Sequence, residues 1–261
     1  MTDAPAYVPP HGLLKDKTVL ITAAAGAGIG YSTAKRCLEE GARVMVIADI
    51  HELRLKDAVK ALQKEFGQAK VHGRLANVTV EGEVQNLVDH AEGWTDGVDV
   101  LINNAGLGGS KRIVHMTDEE WLKVIDVSLN GTFRMMRAML KKMQPRGRGV
   151  IVNNASVLGW RAQKEQAHYA AAKAGVMALT RCAALEAAEF GVRINAVAPS
   201  IAMHEHLKKS ASESLLKELQ SREAFGRGAE TWEIANVIVF LASDYSSYLT
   251  GEVISASSQR A

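Results

Sequence analysis

The chain has 261 residues, of which 31 are Lys or Arg and 29 are Asp or Glu, so the formal net charge is only +2. This balance argues against a dedicated nucleic-acid binder, which usually carries an excess of basic residues on one face. Hydrophobic residues make up 47% of the chain and charged residues 23%, a mixture typical of a globular protein and not of a disordered one. The length allows one large domain or two small ones.

The two cysteines, Cys37 and Cys182, are too few for a disulfide framework and fit a reducing compartment, where we expect both thiols to be buried. No run of 18 apolar residues occurs, so a membrane-spanning helix is not expected. The start of the chain is rich in proline and lacks the basic and apolar regions of a secretory signal, which predicts an extended tail over residues 1–13. We therefore expect a cytoplasmic protein with neither nucleic acid nor membrane as partner.

Short apolar segments recur along the chain and alternate with amphipathic ones. Five of them are continuously apolar, which is typical of strands covered on both faces. They are Thr18–Thr22, Arg43–Asp49, Val98–Asn103, Gly149–Asn154 and Arg193–Ala198. Val71–Leu75 and Glu252–Ser255 are weaker candidates.

Two of the predicted helices have clear ends. Thr117 opens a capping box, Thr-Asp-Glu-Glu, and a second helix over about 166–190 ends at Gly191, a residue suited to a helix C-terminus. The alternation of strands and helices predicts one α/β domain over residues 14–261, a doubly wound parallel sheet of about seven strands with helices on both faces. Residues 200–228 form a polar, helix-prone insertion at the carboxyl ends of the strands, where ligands bind open α/β sheets.

A run of small residues follows the first predicted strand and precedes a helix: Ala23-Ala-Ala-Gly26-Ala-Gly28-Ile29-Gly30. Small residues let the backbone approach a pyrophosphate, and a helix N-terminus offers free N–H groups and a positive dipole end. Asp49 ends the second strand, where a carboxylate accepts hydrogen bonds from a ribose diol and repels a 2′-phosphate. The pattern predicts a dinucleotide site that prefers NAD to NADP, the alternative being a tight turn and a solvated carboxylate.

Tyr169 and Lys173 are four residues apart, which on a helix places both side chains on one face. A neighbouring ammonium lowers the phenol pKa, which is normally about 10, so the pair can act as an acid or base near neutrality. Ser156 ends the fifth strand, where a hydroxyl can hold a substrate oxygen. Asn130, followed by glycine within a predicted helix, indicates a local kink. Taken singly, each residue also has a purely structural explanation.

These features follow one another in a characteristic order: the glycine-rich turn, Asp49, Asn103-Asn-Ala-Gly106, Asn130, Ser156, Tyr169-x-x-x-Lys173 and Asn195-Ala-Val-Ala-Pro199. With this set the chain resembles the short-chain dehydrogenases/reductases, from Lys17 to about Glu252. The resemblance implies a Rossmann-like fold, a nicotinamide cofactor and the interconversion of a secondary alcohol and a ketone by hydride transfer.

The resemblance also implies roles for single residues. Tyr169 would exchange a proton with the substrate oxygen, Lys173 would lower the tyrosine pKa and hold the nicotinamide ribose, and Ser156 would orient the carbonyl. Asn130 would hold a water that links Lys173 to solvent. Cofactor contacts are implied for Gly26, Gly28, Ile29, Gly30, Asp49, Asn77, Val78, Asn104, Ala105, Gly106, Tyr169, Lys173, Pro199 and Ile201.

The chain departs from the family pattern at several places. Ala23 stands where the family usually has glycine, so either Gly26 replaces that glycine or the turn is one residue longer. Asn77 replaces an aspartate at the end of the third strand, and its carbonyl oxygen can still accept a hydrogen bond from adenine. Ser200 and the segment 256–258 replace glycine-containing motifs, so we expect the C-terminal end to pack differently.

Three segments flank the predicted site and are candidates for binding the substrate: residues 107–114, 157–166 and 200–228. Their apolar side chains, such as Trp160 and Met203, fit a bulky apolar substrate. Their cations can meet a carboxylate or a coenzyme A phosphate, or form a solvated face; they include Lys111, Arg112, Arg161, Lys208 and Lys209. His204 and His206 lie in the third segment, but two residues apart they do not share a helix face, so no metal site is expected.

Residues 22–26, 199–203 and 250–255 are similar to bacterial short-chain dehydrogenases of steroid-ring breakdown, which act on hydroxyl groups of coenzyme A-linked ring fragments. The expected substrate is thus a small molecule such as a steroid-derived ring or an acyl-CoA thioester. An NADP-dependent 3-oxoacyl thioester reductase and a non-catalytic dinucleotide-binding protein are the alternatives. The family resemblance also implies a homotetramer or homodimer that assembles through the helices at 117–143 and 166–190.

Overall fold

In the computed structural model, residues 3–204, 207 and 212–259 are described. The strands are β1 (Thr18–Thr22), β2 (Val44–Asp49), β3 (Val71–Leu75), β4 (Val100–Asn103), β5 (Gly149–Asn154), β6 (Val192–Pro199), β7 (Ala202–Met203), β8 (Ala229–Glu230) and β9 (Val253–Ala256). A seven-stranded sheet has the order β3-β2-β1-β4-β5-β6-β9 with parallel neighbours throughout, while β7 and β8 form a separate parallel pair.

The helices are α1 (Ile29–Glu39), α2 (Glu52–Phe66), α3 (Glu81–Glu92), α4 (Asp118–Ile125), α5 (Gly131–Met143), α6 (Ala167–Ala188), α7 (Glu213–Ser221) and α8 (Thr231–Ala242). One core cluster joins the sheet to α1, α2 and α8, and a second joins it to α3, α5 and α6. Helices therefore cover both faces, and the predicted doubly wound parallel sheet is confirmed.

The burial of each strand explains how strongly its sequence predicts a strand. β1 and β2 lie inside the sheet and are buried along their whole length, which is why they read as continuous apolar runs. The two weaker candidates became β3 and β9, the edge strands, where several side chains are exposed. Edge position thus accounts for their mixed composition.

The helix that begins after Thr117 has the predicted capping box. The Thr117 hydroxyl accepts a hydrogen bond from the Glu120 N–H at 3.2 Å, and the Glu120 carboxylate accepts one from the Thr117 N–H at 2.9 Å. A π-helical turn, Asp126–Asn130, joins α4 to α5 without a break. The kink predicted at Asn130 is therefore confirmed as a π turn.

The N-terminal tail lies extended on the surface formed by α1 and α8. The Tyr7 ring packs edge-on against Trp232 with centroids 5.2 Å apart, and Arg36 donates hydrogen bonds to the carbonyls of Val8 and Pro9 at 2.6 and 3.3 Å. None of the helices in the described ranges is long and apolar enough to cross a membrane.

The two cysteines differ in their exposure. Cys37 is buried in the core, and burial raises the pKa of its thiol. Cys182 is exposed, so the expectation that both thiols are buried was wrong for this residue. Cys182 lies on an outward face of α6 that also exposes 75% of Leu185, a face that the sheet does not cover.

Candidate active site

The strand order reverses between β1 and β4, and the segments that follow these two strands are hydrogen-bonded to each other. The Thr22 hydroxyl accepts the backbone N–H groups of Asn104 and Ala105 at 3.1 and 3.0 Å. The Asn104 amide donates to the carbonyls of Thr22 and Ala23 at 3.2 and 2.9 Å. This reversal point is where dinucleotides bind in such sheets. Sequence patterns did not single out Thr22, although a hydroxyl at the end of an apolar strand is a usable signal.

The glycine-rich turn contains two residues in the left-handed conformation. Ala23 has φ +52°, and Gly26 has φ +98°. Ala23, which stands where the family usually has glycine, therefore adopts a left-handed conformation at a cost of about 1 kcal/mol. Gly30 permits the turn to close, because a Cβ there would lie 2.3 Å from the Ala23 oxygen and 2.5 Å from the Asn104 amide nitrogen.

The N-terminus of α1 suits a pyrophosphate. Gly28 caps the helix in an extended conformation with no side-chain hydrogen bond, and the first turn, which starts at Ile29, holds no acidic residue. A Cβ added at Gly26 or Gly28 would meet no atom within 4 Å, so the space beside the turn is open. Uncapped N–H groups and the positive dipole end thus face open space that a phosphate can enter.

Asp49 is buried at the end of β2 and holds the turn with its carboxylate. Oδ2 accepts the N–H of Ala25 at 3.1 Å, and Oδ1 accepts the N–H of His51 at 3.0 Å. Burial raises the Asp49 pKa, while the Ala25 N–H and the charge of Arg54 oppose that rise. Each oxygen retains a lone pair that a ribose hydroxyl can use.

Asn77 and Val78 follow β3, near the predicted adenine position. Asn77 Oδ1 already accepts the N–H and the hydroxyl of Thr79, at 3.0 and 2.9 Å. Both lone pairs of this oxygen are therefore used, so accepting a bond from adenine requires the release of one Thr79 bond, whereas the Asn77 Nδ2 can donate. Val78 is buried, and a Cβ on Gly131 would lie 2.6 Å from its Cγ2, so it packs against the start of α5.

The structure brings Ser156, Tyr169 and Lys173 together. Ser156 follows β5 and is 8% exposed, and Lys173 lies on α6 and is 3% exposed. The Lys173 Nζ donates a hydrogen bond to the Asn154 carbonyl at 2.6 Å and lies 5.5 Å from the centroid of the Tyr169 ring. The Ser156 side chain lies close enough to Tyr169 to lower the pKa of its phenol. A hydroxyl pair beside a buried amine is suited to proton transfer.

Burial governs the charges of this group. It lowers the pKa of Lys173 to about 8 and raises the pKa of Tyr169, an effect that the neighbouring Ser156 side chain opposes. The direction for Tyr169 is the reverse of that expected from its neighbour Lys173. The lysine amine is directed to the Asn154 carbonyl, and removal of the phenol from water has the larger effect. The phenol is thus protonated at neutral pH.

Asn130 lies at the end of the π turn, where its amide donates to Asp126 Oδ1 at 3.0 Å. The turn packs on α6 through Leu129, because a Cβ on Gly175 would lie 2.8 Å from the Leu129 Cδ2. Among the contacts of the described residues, none joins Asn130 directly to Lys173. Its predicted role through a water therefore stays a prediction.

Other predicted cofactor residues follow β4 or lie at the carboxyl end of β6. A Cβ on Gly106 would lie 3.2 Å from the Lys173 Nζ, so the segment after β4 lies against this lysine. Pro199 is buried at the end of β6, and the carbonyl of Ile201 accepts the N–H of Ala229 at 2.9 Å. That bond fixes the start of the insertion to β8.

Two residues near the site had no place in the sequence predictions. Asn154 accepts the Lys173 amine with its carbonyl and donates to Asn104 Oδ1 at 2.9 Å, thereby joining the ends of β4 and β5. His168, next to Tyr169, is 3% exposed. The sequence could have indicated Asn154, because an Asn-Asn pair lies at the end of each of the neighbouring strands β4 and β5.

The candidate substrate segments expose apolar side chains near this group. Ile113, Val114 and Trp160 are exposed by 71%, 79% and 51%. His206, Lys208 and Lys209 lie outside the described residues. Within the described ranges no group of three His, Cys, Asp or Glu side chains is arranged to hold a metal ion.

Comparisons with known proteins agree with this geometry. The family model described as enoyl-(acyl carrier protein) reductase matches residues 23–258. A Mycobacterium tuberculosis protein named (5R,7aS)-5-hydroxy-7a-methyl-1-oxo-2,3,5,6,7,7a-hexahydro-1H-indene-carboxyl-CoA reductase is 58% identical, over 98% of this chain and 97% of its own length. A Thermotoga maritima 3-oxoacyl-acyl-carrier-protein reductase is 39% identical, over 92% and 96%.

Solved structures show the same fold over nearly the whole length. A short-chain dehydrogenase from Mycobacterium smegmatis superposes with a TM-score of 0.88 at 53% identity and 99% coverage of both chains. Levodione reductase superposes with a TM-score of 0.88 at 33% identity, over 94% of this chain and 97% of that one. The crevice at the reversal point, the serine, tyrosine and lysine beside it, and these matches lead to one conclusion: the chain belongs to the short-chain dehydrogenase/reductase family of oxidoreductases.

Proposed function

We propose that the protein is an NAD(H)-dependent oxidoreductase that interconverts a secondary alcohol and a ketone, with Ser156, Tyr169, Lys173 and Asn130 as its catalytic residues. The observation that carries this proposal is the assembly of Ser156, Tyr169 and Lys173 at the carboxyl ends of the strands. A bound nicotinamide supplies or accepts the hydride.

Each catalytic side chain has a role that its surroundings support. The Tyr169 hydroxyl is protonated at neutral pH and donates its proton to the substrate oxygen during reduction. Ser156 donates a hydrogen bond to the same oxygen and orients the carbonyl. Lys173, mostly charged below its pKa of about 8, stabilises the phenolate that remains when the proton has left.

The preference for NAD rests on Asp49. A buried carboxylate at the end of β2 accepts hydrogen bonds from a ribose diol and repels a 2′-phosphate. The neighbouring Arg54 opposes this preference, since its charge reaches Asp49 and would attract a phosphate. NADP(H) is therefore the alternative that a direct comparison must exclude.

For the substrate we propose a fused-ring ketone or alcohol carried as a coenzyme A thioester. The name of the Mycobacterium tuberculosis relative supports this class, as do the exposed apolar side chains of the candidate substrate segments. The Thermotoga maritima relative supports the second candidate, a 3-oxoacyl thioester. Both classes share a carbonyl near an apolar body and a thioester arm.

We also propose a homotetramer or homodimer in the cytoplasm, with residues 1–13 as a tail and 14–261 as the catalytic domain. Apolar side chains on α4, α5 and α6 are exposed, among them Leu122, Phe133 and Leu185. Among the alanines of α6, Ala183, Ala184 and Ala187 are buried in the chain's own core, whereas Ala178 and Ala188 are exposed. A monomeric mass in solution would contradict the assembly.

The first experiment is a parallel titration with NADH and NADPH, followed by turnover of trans-1-decalone and acetoacetyl-CoA by wild type and Tyr169→Phe. NADH should bind at least about tenfold more tightly, a difference of about 1.4 kcal/mol. The variant should bind NADH like wild type and lose turnover. Equal or reversed affinities would refute the assignment of Asp49, and full turnover by the variant would refute the mechanism.

A further inference from the structure

The segment that precedes Tyr169 is fastened to the loop after β4. The Lys111 N–H donates to the Glu165 carbonyl at 2.9 Å, and the Ser110 hydroxyl donates to Glu165 Oε2 at 2.5 Å. Arg112 forms an ion pair with Glu165 Oε1 at 3.5 Å. These three contacts, which all end on Glu165, are called the Glu165 clamp.

Glu165 makes these contacts although its own backbone is in an unfavourable conformation. Its φ is +66°, in the left-handed region that glycine, asparagine and aspartate tolerate better than other residues. Exposed ion pairs contribute little, so the bond with Arg112, which is 73% exposed, does not explain why the conformation is kept. Strain of this kind persists where surrounding contacts enforce it, and it concentrates at functional sites.

The clamped loop lies directly against the catalytic helix. A Cβ on Gly108 would lie 3.9 Å from Cδ2 of Tyr169, and a Cβ on Gly109 would lie 3.1 Å from Nε2 of His168. The Gly109 carbonyl also accepts a hydrogen bond from Gln166 at 2.6 Å. Gly109 thus allows the backbone to approach His168 closely, Gly108 lies within contact range of Tyr169, and Glu165 holds that backbone in place.

We propose that Glu165 is a positioning residue: it holds residues 108–112 against Tyr169 and so fixes one wall of the pocket in which a bulky substrate meets the phenol. This inference rests on the proposed function, since it takes Tyr169 as the group that meets the substrate oxygen. The residue contacts neither the reacting atoms nor Lys173. Its effect should therefore appear in substrate affinity and not in cofactor binding.

Glu165→Gly separates positioning from stability, because glycine relieves the left-handed strain while removing the side-chain bonds to Ser110 and Arg112. In the NADH-loaded full chain we expect an unchanged or higher Tm, an NADH Kd within about twofold of wild type, and faster backbone hydrogen exchange over 107–112. With trans-1-decalone, KM should rise about tenfold while kcat changes little. Glu165→Gln keeps an acceptor for Ser110 and should restore most of the affinity.

Asp16→Gly is the matched control, since Asp16 is also left-handed, with φ +63°, but lies before β1 at the opposite end of the sheet. It should change neither the exchange of residues 107–112 nor KM. Unchanged exchange and KM in Glu165→Gly would overturn the proposal, as would a lower Tm with unchanged KM. If wild type reduces neither decalone nor acetoacetyl-CoA, the proposed function fails, and the exchange measurement alone then decides whether the clamp exists.

Discussion

The two ends of the central sheet are built differently. At the carboxyl ends, Ala23 and Glu165 are left-handed, and Lys173 is a buried amine whose pKa is lowered to about 8. At the amino ends, the Arg193 guanidinium donates to carbonyls that follow α8, at 2.9 Å to both Ser243 and Ser246. Asp16, at the amino ends, is left-handed too, but aspartate tolerates that conformation better than alanine or glutamate. The carboxyl ends thus hold the buried amine and the more strained residues, while the amino ends mainly satisfy backbone groups.

Under the proposed function, this contrast separates residues that take part in the chemistry from residues that stabilise the fold. Burial of a lysine destabilises the folded protein, because it disfavours the charged form of the amine. The same buried environment is suited to proton transfer. An arginine that fills a set of carbonyl acceptors stabilises the end of a helix and has no access to the crevice. Substitutions at the two ends should therefore shift activity and stability in opposite patterns.

The largest expected effect belongs to Lys173→Met. We expect turnover to fall by about 1,000-fold or more, equivalent to about 4 kcal/mol in the activation barrier, because the phenolate loses its stabilising charge. At pH 7 the variant should nevertheless unfold at a higher temperature, since no charge remains to be buried. Calorimetry and decalone turnover measure both effects. Lys56→Met, on α2 at a residue whose side chain is 68% exposed, is the control and should leave both unchanged.

The stability difference between wild type and Lys173→Met should depend on pH. The folded-state pKa of Lys173 is about 8, below that of an unfolded lysine, so folding releases a proton between these two values. Wild type should therefore gain stability as pH rises from about 8 towards 10, and the advantage of the variant should shrink. Denaturant unfolding at several pH values tests the sign. A difference that stays constant would contradict the lowered pKa.

Arg193→Met should lower stability and leave turnover nearly unchanged, the reverse of Lys173→Met. It removes the donors for the Ser243 and Ser246 carbonyls, so we expect a loss of about 2–3 kcal/mol in the free energy of unfolding. Turnover should stay close to wild type at temperatures where the variant is folded. Arg148→Met is the control, because Arg148 is 62% exposed and its nearest acid, Asp99, is 3.8 Å away. Equal losses in both variants would contradict the importance of the carbonyl contacts.

The sequence predicted most of the fold and the members of the site because both depend on local signals. Strand and helix periodicity and the capping box at Thr117 are local features of neighbouring residues. The helix predicted to run to about residue 190 ends at Ala188, three residues before the left-handed Gly191. Tyr169 and Lys173 share one helix, so their spacing alone brings them together. The edge strands β3 and β9 were weaker only because fewer of their side chains are buried.

What the sequence could not provide depends on tertiary environment. The direction of the Tyr169 pKa required the extent of its burial and the bond that takes the Lys173 amine to Asn154. The exposure of Cys182 depends on which face of α6 the sheet leaves uncovered. The Glu165 clamp joins residues more than 50 positions apart, and no local pattern marks a left-handed glutamate.

The smallest predicted effect concerns Ala23, an alanine in a left-handed backbone conformation that favours glycine. Ala23→Gly should raise the free energy of unfolding by about 0.5–1 kcal/mol, because the left-handed strain relieved exceeds the entropy that glycine adds to the unfolded chain. NADH affinity should not change, since the turn keeps its shape. Ala24→Gly is the matched control: Ala24 is buried and not left-handed, so the same substitution should destabilise the protein. If both variants lose stability, Ala23 is not strained, and the contrast between the two ends of the sheet then rests on Lys173 and Glu165 alone.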